Sequence, residues 1–162
     1  MKKIKSFMMM MMATMAFVFG VCSCGSDDDE PEVAVATQVA GSYTGLEIMT
    51  VSGEDDEGTK TFEFTKATDS SVDMTIPEYG EGGMSLPKMP VKGILLTKSG
   101  NTITGKLSSY SGTVTNASGA EKAYTVSDVT VLFSDKNVVV TFALKYGNMP
   151  FAFAGKFSGT KQ

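Results

Sequence analysis

The chain has no histidine, no arginine and no tryptophan, and only two cysteines, Cys22 and Cys24. Each absence removes a class of chemistry. Without histidine there is no Ser-His or Cys-His relay and no imidazole ligand for zinc, copper or haem. Without arginine there is no planar fork to clamp a phosphate or carboxylate at two points. Both cysteines precede residue 25, so the chain beyond them carries neither a disulfide nor a thiol nucleophile. No metal site and no cofactor is expected.

What is present begins with an address. Lys2, Lys3 and Lys5 precede an apolar run from Phe7 to Val21. Lysines stay on the cytoplasmic side while such a run enters the membrane, the arrangement of a secretory signal. The run is shorter than the ~20 apolar residues that span a bilayer comfortably. Val21-Cys22-Ser23-Cys24 resembles a bacterial lipobox, with an aliphatic at Val21 and small Ser23 beside the cysteine. The resemblance implies a signal peptide over residues 1–23 and lipid attachment at Cys24. At ~0.8 kcal/mol per buried CH₂, two acyl chains already give a stable membrane anchor. The following Ser26, Asp27, Asp28, Asp29 and Glu30 form an acidic run, part of a flexible tether over residues 24–40. This run is similar to the export signal of Bacteroidetes surface lipoproteins, which implies an outer-membrane location facing the cell exterior.

Removing the signal changes the totals. Seven of the twelve methionines lie in residues 1–15, so the remainder is not methionine-rich. The mature chain keeps 11 lysines against 18 acidic residues, a formal charge of −7. Nucleic-acid binding is driven by neutralising phosphates, so this balance argues against it. About 120 residues remain after the tether, enough for one hydrophobic core.

Those residues read as strands. Short β-prone runs alternate with turn signals from Gly41 onward. The runs are Gly41–Val51, Thr59–Lys66, Ser71–Ile76, Val91–Thr97, Thr102–Leu107, Tyr110–Thr115, Ala123–Phe133, Val138–Lys145 and Phe151–Gly159. Lys98-Ser99-Gly100-Asn101 and Asn116-Ala117-Ser118-Gly119 are hairpin turns. Ser52–Gly58 reads as a solvated acidic tip without the alternating ligands of a calcium loop. Pro77–Pro90 reads as a rigid crossover whose Met84, Leu86 and Met89 plug the core. No segment of helical period is long enough to mark a helix. Glycines inside strands (Gly45, Gly93, Gly105, Gly112, Gly155) permit the bends of a closed barrel. The fold expected is all-β: a single eight- or nine-stranded antiparallel up-and-down barrel over residues 41–162.

Three segments also carry a family resemblance. They are Gly41-Ser42-Tyr43-Thr44-Gly45, the stretch Met84 to Gly93, and Met149-Pro150-Phe151 to Gly155-Lys156-Phe157. The chain resembles the calycin-like β-barrel lipoproteins of the Bacteroidetes, a lipocalin-shaped group, over Val39 to Gln162. The resemblance implies eight strands. True lipocalins open with Gly-x-Trp and pack a late arginine on that ring; here Tyr43 stands at the tryptophan's place.

The function expected is a membrane-anchored, non-enzymatic binding module for a small apolar ligand. An eight-stranded barrel is just wide enough to hold one small molecule or to fill itself with side chains. Alternating apolar positions name the candidate lining: Leu46, Ile48, Phe62, Phe64, Leu95, Ile103, Phe142, Phe151 and Phe153. The alternative is a protein- or glycan-interaction lipoprotein with a filled barrel, acting through loops. Tyr79, Tyr110, Tyr124 and Tyr146 exposed at one rim would favour it. Enzymatic use of carboxylates would need Glu47, Glu63 and Asp73 to converge in a cleft.

Overall fold

Each strand pairs with the next in the chain, and the last returns to the first. The strands are β1 (Gly41–Val51), β2 (Glu54–Thr68), β3 (Ser71–Ile76), β4 (Met89–Ser99), β5 (Thr102–Thr115), β6 (Glu121–Ser134), β7 (Asn137–Tyr146) and β8 (Phe153–Lys161). All neighbours are antiparallel, and β8 pairs with β1 to close an eight-stranded up-and-down barrel. The structure, a computed structural model, describes residues 33–80 and 85–162. The signal segment, Cys24, the run Ser26 to Glu30 and Met84 lie outside the described residues.

Local chemistry sets the corners. Ser52 and Gly53, both at positive φ, join β1 to β2 as the tight two-residue turn that suits twisted strands. The acidic residues Glu54 to Glu57 therefore lie on β2, opposite Val51 to Ile48, rather than in a loop. Asn116 Oδ1 accepts hydrogen bonds from the Ser118 and Ala120 amides and from the Ser118 hydroxyl, which pins the β5–β6 turn. The runs Thr102–Leu107 and Tyr110–Thr115 form one strand, β5, not two. The β5–β6 ladder omits Ser108 and Asp128, and Asp128 has φ 54°. Beyond this kink the buried side of β5 changes from odd to even residues.

A second kink lies on β4. Val72 pairs with Ile94 and Met74 with Val91, so β4 holds one extra residue. Gly93 takes it up at φ 78° and donates its amide to Asp73 Oδ1 at 2.9 Å. Left-handed backbone favours glycine here.

One barrel end is closed by a short helix, α1 (Val35–Val39), where the sequence reads as tether. Ala36 and Val39 are buried in the core. Tyr43 donates its hydroxyl to Val39 O at 2.9 Å, and Lys161 Nζ donates to Gln38 O at 3.1 Å. The Lys161 ammonium also stands 6.0 Å from the centre of the Tyr43 ring, within cation–π range. The ordered domain thus begins before residue 41.

Between the ends the interior is packed. Tyr43, Phe62, Phe64, Phe157, Met74, Ile94 and Leu144 are fully buried. Phe62 stacks on Phe157 with ring centres 4.4 Å apart, while Phe64 meets both Tyr43 and Phe133 edge to face. The Phe142 ring lies where a side chain on Gly155 would project. Glycine at this point gives the aromatic its space.

Candidate functional site

The opposite end is the mouth. It is bounded by the β1–β2 turn, the segment leading from β3 to β4, and the segment from β7 to β8. A pocket of about 310 Å³ opens there, lined by Met49, Val51, Asp56, Tyr79, Gly80, Leu86, Met149, Phe151 and Phe153. The walls are mostly apolar. Phe151 and Phe153 meet edge to face at 5.6 Å, and Tyr79 and Leu86 exchange backbone hydrogen bonds at 2.9 and 2.8 Å. That bridge holds both ends of the crossover beside the pocket. The two methionine thioethers provide a wall that adapts to ligand shape.

A polar pair adjoins this apolar space. Glu47, one pleat below Met49 on the same inward face of β1, is only 2 % exposed. Tyr79 donates its hydroxyl to Glu47 Oε1 at 2.7 Å. Burial pushes the Glu47 carboxyl up to about 7, against the opposing pull of the Tyr79 hydrogen bond and Lys60. Burial, reinforced by Glu47, raises Tyr79 as well. The Lys60 ammonium is held at the mouth by Glu78 O at 2.9 Å and lies 5.0 Å from the Tyr79 ring centre. Tyr79 therefore carries Glu47 at its hydroxyl and Lys60 near its ring.

The nine expected lining residues separate into three groups. Phe151 and Phe153 line the mouth pocket. Phe62, Phe64, Ile103 and Phe142 belong to the packed interior. Leu46 and Leu95 are exposed, at 49 % and 65 %, and Ile48 shares the outward face of β1 with Leu46. The last three are corrections with a physical origin. Both faces of β1 carry apolar residues, and the inward one includes a carboxylate, Glu47, so alternation points the wrong way. On β4 the extra residue at Gly93 reverses the phase after Val91, which turns Leu95 out.

The crossover behaves as its apolar residues suggest: Leu86 and Met89 are buried. Tyr79, Tyr110, Tyr124 and Tyr146 do lie toward the mouth, but none is an exposed aromatic. Tyr110 packs on Tyr124 at 6.1 Å, and the Tyr124 hydroxyl donates to Pro90 O. Glu63 is exposed on the outer face of β2 and Asp73 is bound to Gly93, so neither joins Glu47. Among the described residues no group of acids is placed to hold a metal ion. The alternation did not mark Met49, Val51 or Met149 as members of the mouth, and Glu47 was named only as a possible cleft carboxylate; the inverted phase of β1 hid the inward place of Glu47, Met49 and Val51.

No protein family and no curated protein matches this chain. Among solved structures, it is similar to a putative outer membrane protein from Bacteroides fragilis, with a TM-score of 0.61 and 18% sequence identity. The likeness covers 80% of this chain and 53% of that one, so the chain spans about half that protein's length. At this identity the similarity is one of fold.

Proposed function

We propose that the protein is a lipid-anchored module of the outer membrane that binds a small apolar ligand at the mouth of its barrel, without catalysing a reaction. The observation that carries the reading is the pocket of about 310 Å³ walled by Met49, Val51, Leu86, Met149, Phe151 and Phe153. Its volume falls at the lower end of the ~300–1,000 Å³ that small-molecule sites occupy. The packed interior moves the ligand from the barrel's centre to its rim. The described chain enters the barrel at the α1 end, opposite the mouth. The closed eight-stranded meander supports kinship with the calycin-like lipoproteins.

Titration with the uncharged apolar fluorophore N-phenyl-1-naphthylamine tests the site. The expected result is saturable binding of one probe per chain, weakened about tenfold or more in a Phe151→Ser/Phe153→Ser variant, since burying a Phe contributes about 1.5–3 kcal/mol. Binding that does not saturate, or that ignores the substitutions, would sink the reading.

A further inference from the structure

The mouth pocket is mainly apolar, and the charge at its wall has one sign. Among the described residues Asp56 is the one charged group in its lining. Asp56 is the cross-strand partner of Met49, so both side chains stand on the same face of the sheet at the rim. Among the described residues it makes no ion pair. Glu54, Asp55 and Glu57 flank it on β2. Three aromatic rings, Tyr79, Phe151 and Phe153, complete this part of the wall.

A second carboxyl lies beneath the pocket. Met49, one pleat above Glu47, and Tyr79, bonded to it, both belong to the lining. Among the described residues Tyr79 is the one hydrogen-bond partner of Glu47, at Oε1, and Oε2 has none. A buried carboxyl oxygen without a donor is costly, so a group that reaches it gains more than it would at the surface. Lys60 attracts Glu47 but makes no hydrogen bond to it. Its ammonium donates instead to Glu78 O at 2.9 Å, stands 5.0 Å from the Tyr79 ring centre and is absent from the pocket lining.

We propose that the ligand of the mouth is a hydrophobic amine. Its apolar body lies against Met49, Phe151 and Phe153, and its one protonated nitrogen is directed to Asp56 and Glu47. The inference rests on the binding reading given above and names the head group that reading leaves open. An anionic head would face the carboxylates of β2. A neutral hydroxyl would supply a donor to Oε2 without offsetting their charge. A protonated amine does both through charge-assisted hydrogen bonds, and the faces of the aromatic rings attract it as well.

Three probes of similar shape test the head group: phenethylammonium, phenethyl alcohol and hydrocinnamate. Each is titrated into the full-length protein in nanodiscs of phosphatidylcholine, whose zwitterionic surface does not itself gather cations. The methyl signals of Met49 and Met149, both in the pocket wall, report binding directly. The expected result is that phenethylammonium binds about fivefold tighter than the alcohol, the sum of one exposed ion pair and one cation–π contact, and that hydrocinnamate binds weakest. Asp56→Asn, at an exposed position, should reduce this preference, and Asp56→Asn/Glu47→Gln should remove it. A preference that survives both substitutions would assign it to the general acidity of the surface and overturn the proposal. Saturable binding of N-phenyl-1-naphthylamine without any preference for the ammonium would overturn it too, while leaving the apolar pocket in place. Failure of that fluorophore and of all three probes would overturn both.

Discussion

Tyr79 donates its hydroxyl to Glu47 at 2.7 Å, across 32 residues of sequence, and so ties the crossover to an inward-facing carboxyl that is 98 % removed from solvent. The bond places a titratable group beside the apolar pocket. It also couples the mouth to pH near neutrality.

Stability should therefore fall as pH rises. The Glu47 carboxyl has a folded-state value of about 7 against an unfolded 4.5, with burial as the leading cause. Between these values the folded state binds more protons than the unfolded one, so the contribution is full below pH 4.5 and is lost as pH rises through 7. At about 1.4 kcal/mol per unit, the loss is on the order of 2–3 kcal/mol. Denaturant unfolding at pH 5 and pH 8 measures it. Glu47→Gln, which keeps the acceptor for Tyr79 and removes the titration, should abolish this component. An equal decline in both proteins would refute the assignment.

Gly155→Ala should destabilise the barrel. Its new methyl would enter the space of the Phe142 ring, and overpacking of this kind costs about 1–3 kcal/mol. Gly58→Ala serves as the control, because open space surrounds that position and its backbone is ordinary. Midpoints of thermal or denaturant unfolding compare the two. Equal midpoints would show that the glycine is not needed for Phe142.

The α1 cap should depend on Tyr43 and Lys161 together. Tyr43→Phe removes the buried hydrogen bond to Val39 O, and Lys161→Met removes the bond to Gln38 O and the charge over the ring. Each should cost about 0.5–1.5 kcal/mol. Because both act on one short helix, the double variant should lose less than the sum of the singles. Faster amide exchange at Ala40, whose N–H bonds to Ala36 O, would report the loosened cap directly. Full additivity with an unchanged Ala40 rate would argue against a shared role.

The strands were legible because their alternation and turn residues agree. Gly41–Val51 and Ser71–Ile76 have the same limits in sequence and structure. The orientation of side chains was less legible, because it depends on events that alternation does not record. A single extra residue at Gly93 turned Leu95 outward, and the kink at Ser108 and Asp128 hid the continuity of β5. The helix at Val35–Val39 is only five residues long, too short to show a period, and it forms against the barrel end. Of the candidate site, Phe151 and Phe153 were legible as apolar residues near a strand start. Glu47 was not, since a carboxylate on the inner face is recognisable only once Tyr79 is seen to meet it.

Native mass spectrometry of the protein, gently extracted from its own envelope, reads directly whether the mouth carries a ligand. The expected spectrum shows a small apolar molecule bound one per chain, and its loss when Phe151 and Phe153 are replaced by serine with the barrel still folded. Recovery of the folded wild-type protein with nothing bound, together with failure to take up any apolar probe at the mouth, would contradict it.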